Sequence, residues 1–178
     1  MIRLFVGLAL PEDVTRRLAL LGGGIPGARW MDEEQLHLTL RFIGEVDGAQ
    51  FDDIRLALSA VQSPAFPLTL SGMGHFGDGR KLRALWAGVA PSPDLVGLQE
   101  RVESVLVRAG LVPEGRKFTP HVTLARLRDA PVARVADFLG AHGLFSAGPF
   151  PIEEFQLFSS HLSAAGSVYD VEETYALD

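Results

Sequence analysis

The sequence predicts an α+β fold whose sheet is mostly antiparallel. Apolar and polar residues alternate along several predicted strands, and helical segments interrupt the strands irregularly rather than in a strict βαβ repeat. A tetrapeptide also occurs twice, as His37-Leu38-Thr39-Leu40 and, 84 positions later, as His121-Val122-Thr123-Leu124. Because the two copies fall in different halves of the chain, they predict two similar lobes related by a pseudo-two-fold axis, with a groove between them.

Seven segments are predicted as strands. The clearest runs from residue 36 to 42, where leucines and a phenylalanine at even positions alternate with His37, Thr39 and Arg41. The other six, some of which have more continuous apolar runs, span residues 2–10, 66–76, 82–90, 117–127, 150–160 and 167–177.

Four helices lie between these strands, and each has a recognisable start. The start signals are Pro11, the Asp47 and Gln50 capping box, Ser92-Pro93, and Pro131. Gly22 is expected to end the first helix and Gly110 the third. The helical period places the following residues towards the core: Val14, Leu18 and Leu21; Phe51, Ile54, Leu58 and Val61; Leu95, Leu98, Val102, Val105 and Leu106; Val132, Val135 and Leu139.

The composition describes one folded domain over residues 1–178. Hydrophobic residues make up 47% of the chain and charged residues 21%, which is typical of a globular protein. The absence of cysteine excludes disulfides, thiolate catalysis and cysteine zinc sites. No apolar stretch approaches the ~20 residues that cross a bilayer, and residues 1–6 resemble a first strand more than a signal peptide. We therefore expect a soluble, cytoplasmic monomer.

The charge balance restricts the kind of nucleic acid that could bind. A net charge of −6 argues against broad binding to long nucleic acid, which depends on many contacts between Lys or Arg and phosphate. Several arginines nevertheless lie beside the two repeated motifs, where a local basic patch could surround a single phosphate. An RNA end or a short oligonucleotide fits this balance better than a duplex does.

The repeated motif carries the groups needed for acid–base chemistry on a phosphate. In a strand, His and Thr two positions apart share one face, so two such strands offer two imidazoles and two hydroxyls. Imidazole, with an ordinary pKa of ~6.5, can act as acid or base near neutrality. The hydroxyls of Thr39 and Thr123 could bind non-bridging phosphate oxygens. No other ligand lies at metal-binding spacing, so we expect no metal and no cofactor.

A single histidine on a strand is more often structural than catalytic. The duplicated spacing separates His37 and His121 from this class, whereas His75, His142 and His161 are interpreted as structural. The two threonines also suit strands in their own right, so their functional interpretation depends on the neighbouring histidines.

The chain resembles the 2H phosphoesterase superfamily, and within it the bacterial and archaeal RNA 2′,3′-cyclic phosphodiesterases, historically called 2′-5′ RNA ligases. Beyond the two motifs, the resemblance extends over segments Arg3–Leu8, Leu36–Gly44, Leu85–Val89, Pro120–Arg126 and the closing strand pair near Phe155–Tyr169. It implies a bilobal, LigT-like fold of two mostly antiparallel sheets with outer helices, in which the motifs face each other across a central groove.

The resemblance also implies an activity. Members open a terminal 2′,3′-cyclic phosphate on RNA to a 2′-phosphomonoester without a metal. By analogy, His37 would be the proton donor to the leaving 3′ oxygen, and His121 the proton acceptor that activates water. Two alternatives remain: a 2′-5′ RNA ligase working at the same site, and a nucleotide- or RNA-binding module without significant turnover.

Five further residues are expected to contact the substrate: Phe5, Arg41, Arg116, Lys117 and Arg126. Arg41 shares strand parity with His37, and Lys117 shares it with His121. Arg126 lies five residues after His121 and would point away from the groove unless a bulge re-aims it. The alternatives are a solvated surface arginine at 126 and a core aromatic, rather than a base-stacking one, at position 5.

Overall fold

The computed structural model describes residues 1–178 as a nine-stranded antiparallel sheet with four α-helices. The strands are β1 Ile2–Ala9, β2 Ala28–Trp30, β3 His37–Val46, β4 Phe66–Phe76, β5 Ala84–Val89, β6 His121–Leu127, β7 Ser146–Ile152, β8 Glu154–Ser163 and β9 Gly166–Ala176. The helices are α1 Glu12–Ala19, α2 Gly48–Leu58, α3 Pro93–Arg108 and α4 Val132–His142. Helix α3 packs on β3, α4 packs on β4, and α2 packs on α3.

The main path of the sheet consists of two four-stranded halves that meet at the motif strands, and the short β2 is the ninth strand. The strand order is β7-β4-β5-β6-β3-β1-β8-β9, with β2 beside β6. Strands β6 and β3 pair through Leu38 and Val122. The two separate sheets expected from the resemblance are therefore joined into one, because the motif strands pair with each other at their first residues. Buried residues from both halves form one hydrophobic cluster.

The helix starts agree with the sequence prediction. The Asp47 side chain accepts a hydrogen bond from the amide of Gln50, and Ser92 accepts one from the amide of Leu95. All five residues that the period of α3 places inward are buried. Helix α1 ends earlier than predicted, at Ala19.

The fourth helix buries a different set of residues from the one predicted. Val132 lies at its first residue and is 52% exposed, whereas Phe138 is buried with Val135. The two buried residues are three positions apart and so share one helix face, which sets the inward direction.

The strand boundaries show what local pattern could not reveal. The predicted strand over residues 150–160 is two strands, because β7 pairs with β4 in one half of the sheet while β8 pairs with β1 in the other. The chain passes from one half of the sheet to the other at Glu153, between β7 and β8. The predicted strand over 117–127 begins only at His121, since the segment before it is an irregular loop, and the short β2 was missed.

A bulge in β3 determines which side chains follow the first motif on the groove face. Adjacent residues of β1 pair with Thr39 and Arg41, so Leu40 is an additional residue in β3. One extra residue reverses the strand parity beyond it. Phe42 is therefore exposed beside the groove, while Arg41 is buried on the opposite face. The prediction that Arg41 shares the face of His37 is wrong for this reason.

The second motif strand contains the corresponding bulge. Adjacent residues of β5 pair with Thr123 and Ala125, so Leu124 is the additional residue in β6. The parity change brings Arg126 to the exposed groove face and buries Ala125. The sequence analysis had predicted that Arg126 would point away from the groove unless a bulge turned it, and this bulge does so.

Candidate active site

A groove of about 500 Å³ contains both motifs, and its lining includes His37, Thr39, His121 and Thr123. The strand pairing explains why these side chains converge. Because Leu38 and Val122 pair in antiparallel register, His37 lies across from Thr123, and Thr39 lies across from His121. The two imidazoles and the two hydroxyls therefore line one groove.

The ring of His37 is held in one orientation. Its Nδ1 lies 2.7 Å from the Gln35 carbonyl oxygen, and since a carbonyl only accepts, Nδ1 is the protonated nitrogen. Its Nε2 lies 2.8 Å from Oγ1 of Thr39. The ring stacks on Phe5 at a centroid distance of 4.6 Å and meets the edge of Tyr169 at 5.3 Å. The nitrogen with a free lone pair is consequently Nε2.

His121 has the same tautomer in a different environment. Its Nδ1 donates to the Thr119 carbonyl at 2.6 Å, so Nε2 is again the nitrogen available for proton transfer. Phe76 meets the ring edge-on at a centroid distance of 4.8 Å, and Trp86 is tilted against it at 6.0 Å. The two carbonyl contacts set equivalent orientations for the two imidazoles.

Both imidazoles favour the neutral form in the free protein. Burial lowers the pKa of His37, and the positive charge of a protonated His121 lowers it further, against the opposing effect of the Gln35 carbonyl. Burial also lowers the pKa of His121, with the Thr119 carbonyl opposing. Near pH 7 the free site therefore presents two unprotonated Nε2 atoms, and it resists carrying two protons at once.

Gly7 allows β1 to pack closely against β3 beside His37. A Cβ at residue 7 would lie 2.8 Å from the Leu38 carbonyl oxygen and 3.5 Å from Cδ2 of His37. We expect Gly7→Ala to lower the free energy of unfolding by roughly 1–3 kcal/mol, because the added methyl overpacks the β1–β3 contact. The turnover should fall as well, since relief of the clash with the Leu38 carbonyl oxygen displaces the backbone next to His37.

Gly115→Ala is the matched control for this substitution. A Cβ at Gly115 meets no atom within 4 Å, so its urea unfolding midpoint should stay near that of the unmodified protein. Equal midpoints for the two variants would contradict the packing argument.

A sequence model of the 2′-5′ RNA ligase superfamily matches residues 25–163 of the chain. The chain belongs to this superfamily. A relative from Thermotoga maritima named RNA 2′,3′-cyclic phosphodiesterase is 30% identical over 181 residues, covering 95% of this chain and 92% of the relative. One of the same name from Aeropyrum pernix is 32% identical over 148 residues, covering 82% and 84%.

Solved structures of related proteins agree with this membership. E. coli LigT in complex with 3′-AMP superposes with a TM-score of 0.80 at 28% identity, covering 99% of this chain and 98% of that one. A second solved structure, of the Thermus thermophilus protein TT0787, gives a TM-score of 0.77 at 29% identity, covering 98% and 97%. The α+β fold predicted for a member of the superfamily is confirmed.

Two of the residues predicted to contact the substrate, Arg41 and Phe5, are buried and make contacts within the protein. The Arg41 guanidinium pairs with Glu103 at 2.7 Å and donates to two backbone carbonyls, which leaves the residue 8% exposed. Phe5 is 4% exposed and packs against His37, Phe158 and Tyr169. Phe5 therefore supports the imidazole from beneath, which agrees with the core-packing alternative for this residue.

The remaining predicted contacts are accessible. Arg126 is exposed and lines the groove. Arg116 and Lys117 are exposed on the loop before β6, and they line a depression that adjoins the groove at His121.

Sequence reasoning missed several groove residues, of which Phe42 lies on the first motif strand and the others lie elsewhere in the chain. Arg3, Phe42 and Tyr169 all line the groove, and the Arg3 guanidinium lies 5.2 Å from the Phe42 ring centroid. Gln35 donates to the Ser167 carbonyl at 2.8 Å, which ties the β8–β9 hairpin to the entrance of β3. Gln35 forms a capping box with Asp32, and this local pattern is the signal by which the sequence could have drawn attention to Gln35.

Two properties of the whole chain complete the description of this superfamily member. Nowhere do three or more acidic or histidine side chains gather closely enough to hold a metal ion. None of the four helices combines the length and the apolar character needed to cross a membrane.

Proposed function

We propose that the chain hydrolyses RNA 2′,3′-cyclic phosphate ends to 2′-phosphomonoesters, with His37 and His121 transferring the protons. The pairing of Leu38 with Val122 carries this proposal, because it brings two identically oriented imidazoles and two hydroxyls to one groove. The relatives named RNA 2′,3′-cyclic phosphodiesterase support the substrate class, and the LigT complex with 3′-AMP supports binding of a nucleotide phosphate.

The proposed reaction is an in-line displacement at phosphorus. Nε2 of His121 accepts a proton as a water oxygen forms its bond to phosphorus, and the bond from phosphorus to the 3′ oxygen breaks. Nε2 of His37 gives a proton to that leaving oxygen, so the product is a 2′-phosphate and a free 3′-hydroxyl. The two protons move in opposite directions, which leaves the pair ready for another turnover after proton exchange with solvent.

The other groove residues stabilise charge rather than transfer protons. Thr39 and Thr123 donate hydrogen bonds to the non-bridging oxygens, where negative charge increases in the transition state. Arg126 supplies a cation on the same face. We propose that the chain acts as a monomer on short RNA ends, and the absence of cysteine is compatible with a reducing cytoplasm.

The direct test is product identification. A short RNA ending in a 2′,3′-cyclic phosphate is incubated with the protein in the presence of EDTA, and the ends are resolved by mass spectrometry and phosphatase sensitivity. We expect a 2′-phosphate end. If no turnover is detected, the alternative of a nucleotide- or RNA-binding module is favoured instead. A strict metal requirement would contradict the two-histidine mechanism. A 3′-phosphate product would show that the 2′ oxygen, and not the 3′ oxygen, is the leaving group.

Adding a second RNA strand with a 5′-hydroxyl tests the ligase alternative. In that case a 2′-5′ linked product would accumulate at the expense of the hydrolysed end. If joining outpaces hydrolysis at micromolar RNA, the principal activity is ligation rather than hydrolysis.

The lowered imidazole pKa values predict an acidic pH optimum. Activity falls on the acid side as the proton acceptor becomes protonated, and on the alkaline side as the donor loses its proton. Because both pKa values lie below 6.5, the alkaline decline in kcat/KM should begin below pH 6.5 and approach tenfold per pH unit. A kcat/KM profile measured on a short cyclic-phosphate RNA that stays flat from pH 5 to 8 would contradict this division of roles.

A further inference from the structure

The second depression continues the groove on the side of His121. It has a volume of about 570 Å³ and shares Thr39, His121, Thr123 and Arg126 with the groove, but it does not reach His37. Four exposed cations line it, and we call this surface the basic arm: Arg83, Arg116, Lys117 and Arg126.

The basic arm has an excess of positive charge that the rest of the chain lacks. Its lining also contains Arg41, which is already neutralised by Glu103, and a single acidic residue, Glu114, whose carboxylate lies 3.7 Å from Arg116. Four cations against one carboxylate stand out in a chain whose net charge is −6. In the groove beyond His37, by contrast, Arg3 and Glu45 lie among aromatic and hydroxyl side chains. Such a local concentration of charge favours a polyanion over a single phosphate.

The backbone that carries these cations is fixed. Arg41 donates to the carbonyl of Val112, and the Glu103 carboxylate accepts the amide hydrogen of Glu114 at 2.7 Å. These contacts hold the loop before β6, which carries Arg116 and Lys117. On the other side, the Arg83 carbonyl accepts from the amide of Leu127 at 2.8 Å.

Aromatic rings accompany the charges. Phe76 and Phe118 also line the basic arm, and Phe76 already contacts the ring of His121. Grooves that bind single-stranded RNA combine cations along the backbone with aromatic surfaces for unpaired bases. The basic arm has both components directly beside the proposed reaction centre.

We propose that the basic arm binds the phosphodiester backbone of the RNA strand whose end is being hydrolysed. This inference rests on the proposed function and extends it to substrate choice. A cyclic mononucleotide has no phosphodiester backbone, so the only cation of the arm within its reach is Arg126, which also lines the groove. An oligonucleotide ending in the same cyclic phosphate gains contacts to its internal phosphates. The protein therefore prefers oligonucleotide ends to free 2′,3′-cyclic nucleotides.

The test compares two substrates in three proteins. The substrates are a 2′,3′-cyclic mononucleotide and a single-stranded hexanucleotide ending in the same cyclic nucleotide. The proteins are the unmodified chain, Arg116→Gln/Lys117→Gln, and the control Arg80→Gln/Lys81→Gln. The control removes an adjacent, exposed Arg and Lys pair that lies outside both the groove and the basic arm, so the change in net charge is the same.

We expect the ratio of kcat/KM for the hexanucleotide to kcat/KM for the mononucleotide to fall at least tenfold in the Arg116 and Lys117 variant. The control should keep at least half of the original ratio. The logarithmic salt dependence of hexanucleotide kcat/KM should also become shallower by about 1.4, or 0.7 for each lost contact to single-stranded phosphate.

Several outcomes would overturn the inference. These are an unchanged ratio in the Arg116 and Lys117 variant, an equal loss in the control, or equal kcat/KM for both substrates in the unmodified protein. Failure of the unmodified protein to hydrolyse either substrate would instead contradict the proposed function, and the two failures are therefore distinguishable. Circular dichroism and the urea midpoint verify that each variant is folded.

Discussion

Replacing His121 with alanine should lower kcat/KM for an RNA cyclic-phosphate end by about 10²–10⁴-fold, the usual contribution of a general acid or base. The water would lose its proton acceptor, while the fold should remain intact because the imidazole faces a groove. His37→Ala should give a loss of the same order. Single-turnover kinetics with the hexanucleotide would measure both effects on the chemical step.

His75→Ala is the matched control for the two active-site variants. His75 is exposed, and its Nδ1 contacts the carbonyl of Gly77, two residues later in the chain. The Nδ1 atoms of His37 and His121 also contact a carbonyl two residues away, in their case two residues earlier. Its loss should change kcat/KM by less than about twofold. The His37→Ala/His121→Ala double variant should be little slower than the slower single variant, because the two groups act in one step. Retention of activity in either single variant would refute the two-histidine mechanism.

A sulfur substitution separates the roles of the two histidines. If sulfur replaces the bridging 3′ oxygen of the cyclic phosphate, the thiolate leaves without needing a proton, because a thiol is far more acidic than an alcohol. His37→Ala should then recover most of its lost rate on the sulfur substrate, whereas His121→Ala should not. Recovery in His121→Ala alone would exchange the proton donor and acceptor.

Arg41→Met should lower the free energy of unfolding by roughly 2–3 kcal/mol, at or below the lower end of the range for breaking a buried ion pair, because Arg41 is buried but Glu103 is only partly so. Arg41 pairs with Glu103 at 2.7 Å and also donates to the carbonyls of Phe42 and Val112. Methionine fills a similar volume but satisfies none of these acceptors. The change is measured by urea unfolding at pH 7, with linear extrapolation to water.

The control for this prediction is Arg16→Met. Arg16 pairs with Glu12 at 2.6 Å, yet both side chains are largely exposed, so we expect a loss below about 0.5 kcal/mol. A double variant, Arg41→Met/Glu103→Leu, should recover much of the stability, since it removes the unpaired carboxylate as well. Equal losses for Arg41→Met and Arg16→Met would show that burial does not strengthen the Arg41 pair.

The stability difference should also depend on pH. Burial raises the pKa of Glu103, but the hydrogen bonds from Arg41 and the Glu114 amide outweigh burial, so the pKa lies below its ordinary value of 4.5. A lowered folded-state pKa stabilises the fold above the unfolded-state pKa, and this stabilisation disappears as pH falls through the folded-state value. The gap between the unmodified protein and Arg41→Met should therefore be smaller at pH 3.5 than at pH 7.

Sequence patterns alone were enough to predict the functional groups of the candidate site and much of the local structure. The spacing of His and Thr specified one imidazole and one hydroxyl per strand face, and its repetition identified two histidines among five. The capping residues Asp47 and Ser92 specified two helix starts, because those signals are local. Such features depend on neighbours within a few residues, which the sequence displays directly.

The way in which these parts combine depends on contacts that local sequence patterns do not reveal. Strand parity placed Arg41 towards the substrate and Arg126 away from it, and the two bulges reversed both assignments. A bulge depends on how a strand pairs with its neighbour, so the strand's own alternation cannot reveal it. The joining of two half-sheets through Leu38 and Val122, and the approach of Tyr169 to His37, likewise depend on contacts between distant segments. Those contacts exist only once the chain has folded.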